Sequence, residues 1–196
     1  YSTDDPADAL QTITPENVCA INTMIFPFFF LKKGGVLRDY MFYIGAISGI
    51  AASWIPMSIA NSVPFDFDCM RYYFCHTVIW VVPVLMVVLR LHRPDYRRIF
   101  FVPLIYILDL VVIVFNEVAL VAFGLDEARY ILSVTHGNGG MAFGPYANLE
   151  GTGVLNFLLA FVPDIFEPGE DGGYYAPALW QLFPAIILGC PLGFVM

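Results

Sequence analysis

Residues 99–123 read IFFVPLIYILDLVVIVFNEVALVAF, with two charges, Asp109 and Glu117, along the whole run. A helix needs about 20 consecutive apolar residues to cross the roughly 30 Å of hydrocarbon in a bilayer. The run is therefore read as a transmembrane helix, and it is not alone. Similar stretches cover residues 14–31, 40–60, 70–91 and 174–196. The chain as a whole is 59% hydrophobic and 13% charged. The expected fold class is all-α: a polytopic membrane helix bundle with five transmembrane helices. A sixth stretch, GVLNFLLAFVPDIF at 153–166, is too short to cross and reads as an interfacial or re-entrant helix.

The organisation follows from these runs. Residues 1–13 form an acidic N-terminal segment, and 14–123 a four-helix membrane region. Residues 124–173 form a Gly-rich acidic loop with the short apolar helix, and 174–196 the last span. The first sixteen residues lack the apolar core of a signal peptide. The sequence opens on Tyr1 rather than Met, so a processed or partial chain lacking an upstream helix is expected. Thr14 and Pro15 suit the N-cap and first turn of the first span.

Charge sets the topology. Lys32, Lys33 and Arg38 fall between the first two spans, and Arg90, Arg93, Arg97 and Arg98 between the third and fourth. The opposite loops are acidic. By the positive-inside rule the N-terminus of this chain lies on the non-cytosolic side of an integral, multi-pass membrane protein. On that topology Cys19, His76 and the Asn116–Glu117 pair all sit about 6–12 Å below the acidic surface. The net charge of −8 argues against a nucleic-acid partner. The four Cys include no CxxC pair, so no metal or cofactor is expected.

Candidate site residues each carry a plain reading and a chemical one. Cys19 shares a helical face with Asn22 and Thr23. It is either an inert buried thiol or a nucleophile activated by a nearby imidazole. His76 is either held by a hydrogen bond to a carbonyl or is a functional group at membrane depth. Asp109 fits packing, a proton relay or an ion site. A pathway through Asp109 would need a polar file across the membrane, and the opposite half of the spans is almost purely apolar. Gly45 and Gly49 stand at the GxxxG spacing that lets helices approach closely, within the chain or towards other membrane subunits. Pro177, Pro184 and Pro191 recur every seven residues and are expected to bend the last span.

The stretch TPENVCAINTMIFPFFFLKKGGVLRDYMFYIGAISGIAASWIP resembles the transmembrane protein 164 / YwaF-like family. The matching features are Pro15, then Cys19, a basic loop from Lys32 to Arg38, and a small-residue-rich helix ending at Pro56. RYYFCHTVIW then supplies His76, and VVIVFNEV supplies Asn116. The resemblance covers about 14–123. An Asn-Tyr pair usual in the family has no match beyond Asn116, and 124–173 looks unlike it. The resemblance implies a lipid-handling enzyme, a phospholipid acyltransferase with Cys19 as nucleophile and His76 as its base. Asn116 or Tyr72 would then polarise the carbonyl or orient the imidazole. The implied partners are membrane lipids. The competing reading is a non-catalytic accessory subunit of a larger membrane complex.

Overall fold

A computed structural model of the chain describes residues 17–32, 35–54, 65–124, 139–145, 152–170 and 175–195. Among them every regular element is helical. The α-helices are α1 (Val18–Leu31), α2 (Gly35–Trp54), α3 (Phe67–Val88), α4 (Phe101–Ala122), α5 (Gly153–Leu159) and α6 (Leu182–Val195). Short 3-10 turns lie at Tyr96–Arg98, Gly139–Met141, Asp164–Phe166 and Leu179–Gln181.

Two of these helices are long and apolar enough to cross a membrane: Cys69–Val88 within α3, and α4. Five such spans are expected from the sequence, and the shortfall has a physical cause in each case. The 14 residues of α1 and of α6 give each a length of about 21 Å, short of the hydrocarbon core. The 20 residues of α2 are long enough, but Arg38, Asp39 and several Gly and Ser dilute their hydropathy. The seven-residue α5 spans about 10 Å. Thr152 caps it, accepting from the Leu155 amide at 3.3 Å. Met70, Phe74, Val78, Val82 and Leu85 form an exposed apolar stripe along α3. A stripe of that kind is stable against lipid tails and costly against water.

The chain divides into two compact units, Tyr1–Ala20 with Pro103–Leu192, and Ile21–Val102 with Gly193–Met196. In the second unit, α2 lies along α3 at the two glycines of its GxxxG motif. A Cβ at Gly45 would stand 2.6 Å from the Ile79 carbonyl oxygen, and one at Gly49 would stand 2.9 Å from that of His76. The motif is thus taken up inside the chain. Asp66 starts α3 by accepting from the Phe67 amide at 2.8 Å. Arg90 ends it in the left-handed region, with φ 60°. The Leu91 amide there returns to the Met86 carbonyl at 2.9 Å, the bond of a Schellman motif.

The loop after α3 closes on the start of α2. Asp39 is fully buried. Its Oδ1 accepts from His92 Nε2 at 2.6 Å, and its Oδ2 pairs with Arg98 Nε at 2.8 Å. Asp95 caps the 3-10 turn that presents Arg98, accepting from the Arg97 amide at 3.0 Å. Arg38 Nη2 donates to the Phe30 carbonyl at 2.7 Å. The positive loops are therefore internally wired as well as basic.

In the first unit, Gln181 is the hub. Its Oε1 accepts from the Tyr106 hydroxyl at 2.8 Å, and its Nε2 donates to the carbonyls of Gly140 and Met141 at 2.7 and 2.9 Å. Trp180 Nε1 donates to the Met141 carbonyl as well, at 2.9 Å. Gly140 takes φ 63°, and a Cβ there would lie 3.1 Å from both Leu110 and Val18 side chains. This docking explains why the last helix begins at Leu182 rather than Tyr174. Residues 175–181 are shaped by those bonds, Ala178 adopts φ 61°, and Pro184 falls in the first turn, where its missing amide costs nothing.

Candidate functional site

Cys19 is the second residue of α1. The side chain of Asn17 accepts from the Ala20 amide at 2.9 Å, the bond that an N-cap makes. The expected cap at Thr14 and first turn at Pro15 lie outside the described residues. Cys19 therefore stands in the first turn of its helix, not a full turn inside it. The thiol is half-buried and not in a disulfide. First-turn amides have no intrahelical acceptor, and the helix end they form favours negative charge.

His76 lies nine residues into α3 and is 9% exposed. Its Nδ1 is 2.7 Å from the Tyr72 carbonyl oxygen. A carbonyl oxygen can only accept, so Nδ1 carries the proton. In the neutral ring Nε2 then keeps its lone pair. The Tyr72 ring covers the imidazole with centroids 4.0 Å apart, and the Tyr72 hydroxyl donates to the Ala52 carbonyl at 3.0 Å. The carbonyl partner expected for His76 is thus in its own helix. Tyr72 orients the ring through its backbone and its face, while its hydroxyl is directed to α2.

Asn116 lies six residues before the end of α4. Its Nδ2 is buried and has no hydrogen-bond partner among the described residues. Asp109 and Glu117 on the same helix are buried. Cys19 and Asn116 belong to the first unit and His76 to the second.

The second unit also holds an apolar groove of about 190 Å³, lined by Thr23, Phe26 and Phe30 of α1, Met41 of α2, and Ile79 and Val82 of α3. Asn22, which precedes Thr23 in α1, is fully buried. Its Oδ1 accepts from the Tyr40 hydroxyl at 3.1 Å, and its Nδ2 has no partner among the described residues. The Cys19–Asn22–Thr23 spacing pointed to a shared face, but nothing in the sequence announced the groove or the idle amide. The Asp39–His92–Arg98 cluster was likewise hidden. Its one available signal was an acidic residue within an otherwise basic loop. Among the described residues no three His, Cys, Asp or Glu side chains gather closely enough to hold a metal ion.

Residues 4–126, more than half of the chain, match the model of the TMEM164 family. No curated protein and no solved structure matches the chain.

Proposed function

The chain belongs to the TMEM164 family of membrane proteins, and from that premise we propose that it transfers fatty acyl chains between phospholipids. Cys19 is the nucleophile and His76 the base. The observation that carries this reading is the tautomer of His76. Its Nδ1 is committed to Tyr72, so the nitrogen left with a lone pair is Nε2, on a side chain that is 9% exposed. A fixed neutral imidazole of that kind is what a general base requires.

The reaction divides into two steps. Nε2 takes the thiol proton, and the Cys19 sulfur attacks the ester carbonyl of a phospholipid. The C–O bond breaks, and the departing lysophospholipid oxygen takes the proton from His76, leaving an acyl thioester. In the second step the hydroxyl of a different lysophospholipid gives its proton to Nε2 and attacks the thioester, which restores the thiol. The first-turn amides of α1 favour the negative charge that develops beside Cys19. Asn116 Nδ2, buried with no described partner, supplies a donor for the carbonyl oxygen.

The chain is a multi-pass protein in this proposal. The loops carrying Lys32, Arg38 and Arg90–Arg98 face the cytosol or its equivalent, and the N-terminus of this chain faces away. The accessory-subunit reading draws less support, because Gly45 and Gly49 are occupied by α3.

The test is acyl labelling of the purified protein in liposomes. A phospholipid with a radiolabelled acyl chain is supplied without lysophospholipid acceptor. Hydroxylamine-sensitive label on Cys19, lost in Cys19→Ala and in His76→Ala, is the expected result. A folded protein that takes up no label would sink the enzyme reading.

A further inference from the structure

Residues 90–98 read RLHRPDYRR, four arginines against one carboxylate in a chain whose net charge is −8. The segment follows α3 and leads into α4, so it stands where the two helices long enough to cross a membrane both leave the hydrocarbon. The carboxylates near it are already spent. Buried Asp39 serves His92 and Arg98, while Asp95 caps the 3-10 turn and lies 3.6 Å from Arg98 Nε. Arg90, Arg93 and Arg97 are exposed, and among the described residues none of them pairs with a carboxylate. Arg90 also takes φ 60°, at the position just past a helix end where glycine is the usual occupant. A β-carbon is strained in that region, so an arginine there works against the fold. Strain held at one residue is a pointer to function rather than to folding.

The neighbours of these arginines say what kind of anion they meet. Leu89, Leu91 and Tyr96 are exposed among them, and the Arg97 guanidinium lies over the Tyr96 ring, 5.8 Å from its centroid. Arginine interleaved with apolar and aromatic side chains suits the headgroup zone of a bilayer, where the charge meets phosphate and the apolar parts enter the acyl boundary. A soluble acidic partner would satisfy the charge and leave Leu89 and Leu91 in water. The base of the surface is fixed by the Asp39 pairs and by Arg38, whose Nη1 donates to the Leu91 carbonyl at 3.4 Å.

We propose that residues 89–97 form a docking surface for the headgroups of anionic phospholipids. Arg90, Arg93 and Arg97 meet the headgroup anions, and Leu89, Leu91 and Tyr96 enter the acyl boundary beside them. Val88, at the end of α3, lies about 18 Å along that helix from His76, so a lipid held here is a bound neighbour and not the acyl donor. The surface ties the ends of α3 and α4 to an anionic leaflet and sets the depth at which they sit. It does not rest on the acyl-transfer reading.

The experiment uses the full chain in liposomes and two spin-labelled lipids, a phosphatidylserine and a phosphatidylcholine, each with a nitroxide near the end of one chain. Both have ether-linked chains, which acyl transfer cannot turn over, so failure of the enzyme reading leaves this test intact. Electron paramagnetic resonance reads the fraction of each probe slowed by contact with the protein. Phosphatidylserine is expected to associate about fivefold more strongly, the ratio that one arginine near a charged surface supplies. Equal association with the unmodified protein would overturn the proposal, and that comparison needs no variant to fold. Salt at about 1 M, where screening acts within about 3 Å, should bring the ratio close to unity, and a ratio indifferent to salt would overturn the proposal too. The triple variant Arg90→Gln, Arg93→Gln, Arg97→Gln should do the same at low salt, with phosphatidylcholine association unchanged as the sign of a folded protein. A triple variant that kept the full preference would place the anionic lipid elsewhere and reject this surface. Arg90→Gly separates docking from folding: it should raise the melting temperature, because glycine fits φ 60°, while lowering the ratio. A lower melting temperature with an unchanged ratio would remove Arg90 from the surface.

Discussion

Arg98 Nε lies 2.8 Å from Asp39 Oδ2, and the Asp39 carboxylate is wholly enclosed. The two residues are distant in sequence, one on the turn before α4 and the other in the first turns of α2. Their pairing closes the basic loops on each other. Removing either partner has unequal consequences. Arg98→Met strands a buried carboxylate with His92 as its remaining side-chain partner, and should cost about 3 kcal/mol. Asp39→Asn keeps an acceptor for His92 and leaves a partly exposed Arg98 free to reach water, so about 1–2 kcal/mol is expected. Thermal unfolding in detergent micelles measures both. The reverse order would mean that Asp39 is held by something other than Arg98.

Two glycines in apolar helices should behave oppositely. Alanine at Gly45 places a methyl 2.6 Å from the Ile79 carbonyl oxygen, a backbone atom that cannot swing away. A loss of about 1–3 kcal/mol follows from such overpacking. Gly189, inside α6, has nothing within 4 Å of the same position. Gly189→Ala should raise stability by about 0.5–1 kcal/mol through helix propensity alone. The pair of melting curves is its own control, since the two changes are chemically identical.

Gln181 satisfies three groups at once, and its loss should exceed that of any single partner. Gln181→Leu removes the donor to the Gly140 carbonyl and the acceptor for Tyr106. It should destabilise by about 2–3 kcal/mol, against about 1 kcal/mol for Tyr106→Phe. Equal effects would show that the Gly140 and Met141 carbonyls find water when the amide is gone.

For the chemistry, Asn116 and Tyr72 are separable. The Tyr72 hydroxyl is spent on the Ala52 carbonyl, so Tyr72→Phe should slow thioester formation by less than about fivefold. Asn116→Leu removes a donor proposed for the carbonyl oxygen and should slow it by about 10²-fold. Single-turnover labelling of Cys19 reads both rates. A large effect at Tyr72 with none at Asn116 would exchange their roles.

Much of the helical layout was legible because hydropathy and charge act locally. The expected spans 70–91 and 99–123 correspond to α3 at Phe67–Val88 and α4 at Phe101–Ala122. Run length alone misled at α6, where the Gln181 side chain recruits the preceding segment into bonds with Gly140 and Met141. Those bonds bridge some forty residues, and no local pattern encodes them. The small residues at 45 and 49 announced a close approach but not that α3 would answer it. The groove was harder still. Asn22 and Tyr40 are an ordinary polar residue and an ordinary aromatic in sequence, and only their bond reveals that one amide hydrogen pair is left over. Cys19, His76 and Asn116 were chosen by residue type and family resemblance. The tautomer of His76 and the idle Nδ2 of Asn116 are properties of the fold.

The contact of Gly45 with Ile79 also rests on a proline. Pro83 has no amide to return to the Ile79 carbonyl four residues back, and that oxygen is the atom nearest the missing Cβ of Gly45. Val78 and Val82 line the groove of the second unit and are also exposed on the lipid-compatible stripe of α3. At the level of Gly45 the α-carbon of α2 rests against a main-chain oxygen of α3, with the Pro83 ring beside it. The spacing of the two helices is therefore set by main chain on both sides, so it is fixed by the fold rather than by the rotamer of any side chain at position 45.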